Sequence, residues 1–197
     1  MLPYSEACER NKQPILSRLK IHLAETQHVL EIASGTGQHA VYFAAHLMHL
    51  RWQPSELSAN LAGIEARLKA EKPENVMAPL ELDVAKGVWP VESTNAVFSA
   101  NSLHIMSWAH VVHFFSGVGR VLEPDGVLSV YGPFKYHGEY TSESNAAFDV
   151  WLKQRDPLSG IRDAVELERL AAEQRLEFVA DHELPANNRL LVWKRKC

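Results

Sequence analysis

A glycine-containing turn follows a short apolar segment near residue 30 and has the composition of a ligand-binding loop. Residues 29–32 (Val-Leu-Glu-Ile) favour a buried parallel strand, and Gly35 and Gly37 come shortly after it. Neither glycine carries a Cβ, so the backbone can turn tightly and lie close to a ligand. The helix predicted to begin at Gln38 directs its N-terminal amide groups at this turn. The pattern therefore predicts a site for a polar, nucleotide-like molecule.

Three acidic side chains lie in or directly after predicted strands. Glu31 lies inside the first strand, Glu56 follows the second and Asp83 follows the third. Glu56 comes about 20 residues after the glycines, where a carboxylate can accept hydrogen bonds from both hydroxyls of a ribose. Asp83 and the amide group of Val84 are suited to an adenine amino group and ring nitrogen. Acids at strand ends also cap helices and face solvent, so it is their shared edge that favours a binding site.

Strands and helices alternate along the chain, which predicts an α/β three-layer sandwich. The sheet is expected to be Rossmann-like, mostly parallel and seven-stranded, with a C-terminal antiparallel hairpin. Ligands of such sheets bind at the carboxyl ends of the parallel strands. The predicted strands are 29–32, 50–53, 76–82, 95–100, 127–131, 176–182 and 189–194. The predicted helices are 5–24, 38–50, 58–70, 108–121, 144–154 and 163–174.

Length and composition limit the classes of function. The 197 residues predict a single domain, 1–197, with an N-terminal helical segment at 1–26 and an insertion at 133–160 that would form a lid or a substrate wall. A net charge of −4 argues against nucleic acid as a partner. No run approaches the roughly 20 apolar residues of a membrane span. Two cysteines and an N-terminus without a signal-peptide pattern predict a cytoplasmic protein.

The run Glu31-x-Ala33-x-Gly35-x-Gly37, with Glu56 and Asp83 after it, resembles the class I S-adenosylmethionine-dependent methyltransferases. The resemblance implies S-adenosyl-L-methionine as cofactor, its methionine ammonium near Glu31 and its ribose on Glu56. The commonest form of the family motif has glycine at the position of Ala33. The predicted cofactor-binding residues are Glu31, Ala33, Ser34, Gly35, Gly37, Glu56, Asp83, Val84 and Asn101.

Further motifs, spread over the whole chain, resemble the methyltransferase-like 26 group, a family long filed as a domain of unknown function. This resemblance does not supply a substrate. The motifs are Arg10-Asn11-x-x-Pro14-Ile15-Leu16, Trp52-Gln53-Pro54-Ser55, Asn101-x-x-His104-Ile105-x-x-Trp108, Tyr131-Gly132-Pro133-Phe134, Asn145-Ala146-Ala147-Phe148-Asp149 and Pro185-Ala186-Asn187-Asn188.

Methyl transfer mainly requires that a nucleophile be aligned and desolvated, and a base is needed only if the acceptor must lose a proton. His104 is the candidate base or substrate orienter, although it would equally serve to hydrogen-bond its own turn. Arg10 and Asn11 are expected either to fold over the site or to form an exposed helix start. Trp108, Tyr131 and Phe134 are expected to line an acceptor pocket or to lie in the core.

Parts of the sequence bear on three alternatives to methyl transfer. The pattern Gly35-x-Gly37-x-x-Ala40 also fits an NAD(P)-dependent oxidoreductase, but no Tyr-x-x-x-Lys pair accompanies it. A non-catalytic interaction protein that binds the cofactor would have the same fold. A metal site is not predicted, because the histidines lack recognised ligand spacing and are expected to be solvated on helices. The histidines concerned are His39, His46, His49, His110 and His113.

The acceptor of the methyl group is expected to be a small molecule.

Overall fold

The computed structural model describes residues 2–197 and contains a seven-stranded sheet covered by helices on both faces. The predicted α/β fold class is thereby confirmed. The helices are α1 (Glu6–His22), α2 (Gln38–His46), α3 (Ser58–Glu71), α4 (Trp108–Val121), α5 (Glu143–Arg155) and α6 (Ala164–Glu173). The strands are β1 (His28–Ile32), β2 (Arg51–Glu56), β3 (Leu80–Glu81), β4 (Thr94–Ala100), β5 (Leu122–Gly132), β6 (Phe134–Tyr136), β7 (Glu139–Tyr140), β8 (Arg162–Asp163), β9 (Leu176–Leu184) and β10 (Asn188–Arg195).

The large sheet has the order β3-β2-β1-β4-β5-β10-β9. Strands β1 to β5 are parallel, and β10 runs antiparallel to both of its neighbours. Strand order reverses between β1 and β4, since the chain first adds strands outward to β3 and then returns to the other side. A ligand crevice is expected outside the carboxyl ends at such a point.

The sheet has an apolar core on each face because successive side chains of a strand point in opposite directions. Leu30 packs with helices α4 and α6 on one face, whereas Val29 packs with α1 and α2 on the other. Both residues are 1% exposed, which explains the near-continuous apolar character of β1. The two cores fix the strand ends relative to one another, so the residues that follow them have defined positions.

Two predicted elements are markedly shorter in the structure. The strand expected at 76–82 is reduced to Leu80–Glu81 and a single bridge between Val76 and Trp52, because Pro79 has no N–H group and this is the edge of the sheet. The helix expected at 38–50 ends at His46. Helix α1 agrees with the predicted helix 5–24 to within two residues at each end, and it contains Pro14, since the carbonyl that loses its partner belongs to the exposed Arg10.

The segment 133–160 contains helix α5 and two short strands, β6 and β7, which form a second, three-stranded sheet with β8. Helix α5 begins at Glu143, where the Ser142 side chain accepts a hydrogen bond from the Asn145 backbone N–H. Asn145 Nδ2 also donates to the carbonyl of Asn187 in the β9–β10 turn, at 3.0 Å. The segment is thus attached to the C-terminal hairpin. Within residues 2–197, no helix has the length and apolar character needed to cross a membrane.

Candidate active site

A cavity of about 1060 Å³ lies along the carboxyl ends of the parallel strands. On its β1–β3 side the walls come from the loops after β1, β2 and β3. On its β4–β5 side they come from the β4–α4 turn, the start of the 133–160 segment, helix α5 and the β9–β10 hairpin. The volume lies at the upper end of the roughly 300–1,000 Å³ that is typical of small-molecule sites. Its lining includes Ala33, Ser34, Gly35, Glu56, Asp83, Val84, Asn101 and His104.

The loop after β1 turns by placing three residues in the left-handed region of backbone space. Gly35 has φ +55° and Gly37 has φ +74°, values that glycine adopts without strain. Ala33 has φ +60°, which costs an L-residue with a Cβ about 1 kcal/mol. Gly37 is not in the cavity lining but packs against α3, where an added Cβ would lie 3.2 Å from Ile64 Cγ2. The turn brings the Ser34 and Gly35 backbone to the cavity wall.

Glu56 ends β2 and opens onto the cavity, although only 8% of the residue is exposed. Its Oε2 atom accepts hydrogen bonds from the Leu57 backbone N–H and from Asn60 Nδ2, the latter at 3.1 Å. Its Oε1 atom accepts no hydrogen bond from residues 2–197. One carboxylate oxygen therefore holds the loop, and the other is free to accept a ligand hydroxyl.

Glu31 lies beneath the cavity instead of lining it, and is 2% exposed. Its Oε2 atom accepts a hydrogen bond from Trp52 Nε1 at 3.0 Å. Burial raises the pKa of this carboxyl from 4.5 to about 7, because the charged form loses its hydration. Its first role in the structure is to satisfy the indole of a fully buried tryptophan.

Asp83, Val84 and Asn101 line the same cavity. Asp83 Oδ1 accepts a hydrogen bond from the Ala85 backbone N–H at 2.9 Å. Asn101 has φ +56°, a conformation that asparagine tolerates better than most residues. Its backbone N–H donates to the Tyr131 carbonyl, while its side chain makes no hydrogen bond with the residues described. The Asn101 amide is thus available to a ligand.

His104 is buried in the wall on the β4–β5 side and is 7% exposed. The Phe148 ring, from α5, lies edge-on to the imidazole with 5.5 Å between centroids. Burial lowers the pKa of His104 from 6.5 to about 4, and the neighbouring Arg162 guanidinium acts in the same direction. The imidazole is therefore neutral at physiological pH and able to accept a proton.

Helix α1 crosses one side of the cavity. Arg10 is in the cavity lining, where its exposed side chain pairs with Glu6 at 3.1 Å. Asn11 lies behind the lining, and its Oδ1 is 2.7 Å from His39 Nε2, a distance at which the ring N–H donates. His39 was expected to be solvated, but it is 4% exposed because α1 covers the beginning of α2. Burial lowers its pKa from 6.5 to about 4.

The aromatic residues expected at an acceptor pocket lie elsewhere. Tyr131 and Phe134 are 3% and 2% exposed and belong to the two hydrophobic cores, so neither lines the cavity. Trp108 is in the exposed first turn of α4, also outside the lining. Of the two alternatives that the sequence left open, a place in the core is the one that Tyr131 and Phe134 adopt, since apolar packing buries both rings. Residues of the lining that were not predicted as site residues include Cys8, His39, Asn145, Phe148 and Asn188.

Solved structures with the same fold include several methyltransferases. An O-methyltransferase family protein from Burkholderia thailandensis superposes with a TM-score of 0.82 at 14% identity, covering 97% of this chain and 58% of that one. Human N-acetylserotonin methyltransferase, solved with S-adenosylmethionine, gives 0.81 at 12% identity, covering 98% and 53%. The S-adenosylmethionine-dependent methyltransferase SibL gives 0.81 at 18% identity, covering 96% and 56%. This chain thus spans little more than half the length of these structures.

A protein-family model matches residues 2–195, almost the entire chain. The family is described as "Protein of unknown function (DUF938)". This description names no narrower group, so the resemblance to the methyltransferase-like 26 group stays a prediction. The α/β sheet and its methyltransferase-like neighbours define the fold, and the extent of the family match shows that the chain belongs to the DUF938 family.

Proposed function

We propose that this protein transfers a methyl group from S-adenosyl-L-methionine to a small-molecule acceptor. The observation that carries the proposal is the convergence of four strand ends on one cavity. They bring a left-handed turn, a carboxylate with a free oxygen, an acid followed by a free amide and an asparagine to the same wall. Solved structures of the same fold include methyltransferases, one of them in complex with S-adenosylmethionine.

The residues on the β1–β3 side fit this cofactor. Glu56 Oε1 is free to accept hydrogen bonds from ribose hydroxyls, while Oε2 stays engaged with the protein. Asp83 and the Val84 amide are suited to the adenine, and Asn101 to the methionine end. When bound, the cofactor would supply an electrophilic methyl group on a sulfonium. Glu31 would act through the floor of the site, because its side chain does not line the cavity.

The β4–β5 side is suited to the acceptor. Beyond Asn101 its lining holds the neutral His104 imidazole, the Phe148 ring and the Asn145 and Asn188 amides. His104 would orient the nucleophile and accept its proton as the bond to the methyl group forms. A base with so low a pKa is unprotonated at neutral pH, and after methyl transfer the imidazolium passes the proton on to water. A small organic molecule with an exchangeable proton meets these requirements.

Calorimetric titration with S-adenosylhomocysteine, followed by S-adenosylmethionine, tests the cofactor. We expect dissociation constants in the micromolar range, about −8 kcal/mol, and no heat with NADH as the control. Absence of binding, together with an unchanged melting temperature, would refute the cofactor assignment. Binding of NADH in its place would favour the oxidoreductase interpretation.

A metabolite extract supplied with labelled S-adenosylmethionine tests turnover. We expect the label to appear in a small organic product. His104→Gln should lower the rate by about 10²–10⁴, the usual contribution of a positioned base, without weakening S-adenosylhomocysteine binding. Cofactor binding without label transfer to any extract fraction would favour a non-catalytic interaction protein.

A further inference from the structure

The candidate base lies in a turn of four residues whose backbone carbonyls all accept hydrogen bonds from one other segment of the chain. We call residues 103–106 the His104 turn and residues 159–162 the clamp. The Gly160 backbone N–H donates to the His104 carbonyl at 2.9 Å, and Ser159 Oγ donates to the Ile105 carbonyl at 3.0 Å. Arg162 Nε donates to the Leu103 carbonyl at 3.0 Å.

The Arg162 guanidinium completes this set. Its Nη2 group donates to the carbonyl of Met106 and, at 2.9 Å, to that of Leu158. Arg162 forms no ion pair with a carboxylate anywhere in residues 2–197, so its donors are used on backbone carbonyls. The planar guanidinium donates to the carbonyls of Leu103 and Met106, which lie on opposite sides of His104 in the chain. A lysine, with its single ammonium group, cannot span both.

A buried carboxylate holds the clamp from the other side. Asp149, in α5, is 1% exposed, and its Oδ1 accepts a hydrogen bond from the Ile161 backbone N–H at 2.6 Å. Its Oδ2 accepts from Tyr140 at 2.7 Å and from Lys153 Nζ at 2.6 Å. One residue earlier in α5, the Phe148 ring contacts the His104 ring. The same helix therefore fixes both the imidazole and the segment that holds its backbone.

We propose that Arg162 is a positioning residue, which sets the placement of His104 relative to the bound cofactor through the carbonyls of the His104 turn, with Asp149 as its support. The inference rests on the proposed function for its consequence in catalysis, although the clamp itself can be tested without turnover. It assigns a purpose to the 133–160 segment, which carries Asp149 and Phe148 to the base.

Two substitutions of Arg162 separate the hydrogen-bonding geometry of the guanidinium from its positive charge. Arg162→Lys keeps a cation but loses the two-carbonyl span, whereas Arg162→Met loses both. Arg155→Met is the matched control, because Arg155 is an arginine at the end of α5 that lies over the exposed Trp151 ring and does not contact the His104 turn. Thermal unfolding of each variant establishes that it is folded.

Hydrogen exchange provides the first readout. In both Arg162 variants we expect faster exchange in the peptide covering residues 101–107, and unchanged exchange in β1 and β2. Faster exchange across the whole molecule would mean general destabilisation and would overturn the proposal. So would exchange in 101–107 no different from that of Arg155→Met.

NMR of protein labelled at histidine Cε1 provides the second readout, with His104 assigned by the signal that is lost in His104→Gln. Arg162→Met should raise the pKa of His104 above about 4 by the smaller, electrostatic part of the shift, because the burial of the ring remains, and Arg162→Lys should leave it low. An unchanged pKa in Arg162→Met would contradict the close approach of the guanidinium to His104.

With any acceptor that is turned over, Arg162→Lys should lower kcat about 100-fold, the effect of roughly 1 Å of misplacement, and leave the S-adenosylhomocysteine affinity within about twofold. An unchanged kcat would overturn the positioning role. Failure of the wild-type protein to bind the cofactor would instead refute the proposed function, and the exchange and NMR results would still decide on the clamp.

Discussion

The two sides of the cavity are built in different ways. On the β1–β3 side Ser34, Glu56 and Asp83 each lie at the end of a strand or within two residues of it. On the β4–β5 side His104 depends on Arg162 and Phe148, which are remote in the sequence. The first side is thus a property of the parallel sheet, whereas the second depends on segments added to it.

The two sides also differ in charge. The β1–β3 side exposes carboxylates to the cavity, while the β4–β5 side contributes an imidazole that burial keeps neutral. The first is therefore suited to a ligand with hydroxyl and amino groups. The β4–β5 side is expected to be destabilised at low pH, since protonation of His104 would place a cation in a site with little hydration.

The largest expected effect is the loss of stability in acid. The pKa of His39 and that of His104 both lie at about 4 in the folded protein, against 6.5 in a solvated chain. Between these values the unfolded chain binds more protons, so stability falls as the pH falls from 6.5 to 4. Over this pH range each histidine lowers the free energy of unfolding by about 3 kcal/mol. Glu31 acts in the opposite direction between pH 7 and 4.5, so single-residue variants are needed.

Urea unfolding at several pH values measures this effect. His104→Gln and His39→Gln should each lose less stability than the wild type between pH 7 and pH 4.5. His46→Gln serves as the control, since His46 is exposed on the same helix as His39. Identical pH profiles for all four proteins would mean that neither buried imidazole resists protonation.

The second effect is on cofactor affinity, and it concerns the β1–β3 side alone. Glu56→Ala removes a charged acceptor from the cavity, for which about 1.5–3 kcal/mol is usual. We expect S-adenosylhomocysteine to bind roughly 10- to 100-fold more weakly by calorimetry. Glu81→Ala is the control, because this neighbouring acid is exposed and pairs with Lys86. Equal affinities for the two variants would separate Glu56 from the cofactor.

The third effect distinguishes the two acids of the β1–β3 side. Glu31→Gln should stabilise the protein by about 2 kcal/mol at pH 8 and have little effect at pH 5. The reason is that burial raises the pKa of Glu31 to about 7, so the folded state disfavours the ionised form at alkaline pH. Urea unfolding at both pH values measures the difference.

Cofactor titration of Glu31→Gln then tests the role implied by the family resemblance. If the Glu31 carboxylate attracts the methionine ammonium from beneath the cavity, the cofactor affinity of Glu31→Gln should fall even though the fold is more stable. An unchanged affinity would make Trp52 its only partner of consequence. Loss of stability at pH 8 would contradict the assigned cost of burying the carboxylate.

The sequence was informative where structure is local. Glycine turns, strand-end acids and apolar strands recur at fixed intervals, so the order of elements and the shared edge of Glu56 and Asp83 were predictable. The third strand was shorter than expected because Pro79 lies at the edge of the sheet, a position that no residue pattern revealed.

The β4–β5 side could be predicted only in part, because its contacts join distant residues. Arg162 lies 59 positions from Leu103, and Asn145 lies 42 positions from Asn187. No periodic pattern links such residues. The burial of His39 has the same origin, since it results from α1 lying across α2.

The smallest effect concerns the strain of the turn on the β1–β3 side. Ala33 has φ +60°, so Ala33→Gly should relieve about 1 kcal/mol of strain, part of which is offset by the greater freedom of glycine in the unfolded chain. We expect a net stabilisation of about 0.5 kcal/mol by urea unfolding. Ala45→Gly, at an exposed position in α2, should instead destabilise by about 1 kcal/mol. Opposite signs at two alanines would show that the backbone conformation decides the effect, whereas destabilisation at both would mean that the Ala33 methyl group contributes packing that outweighs its strain.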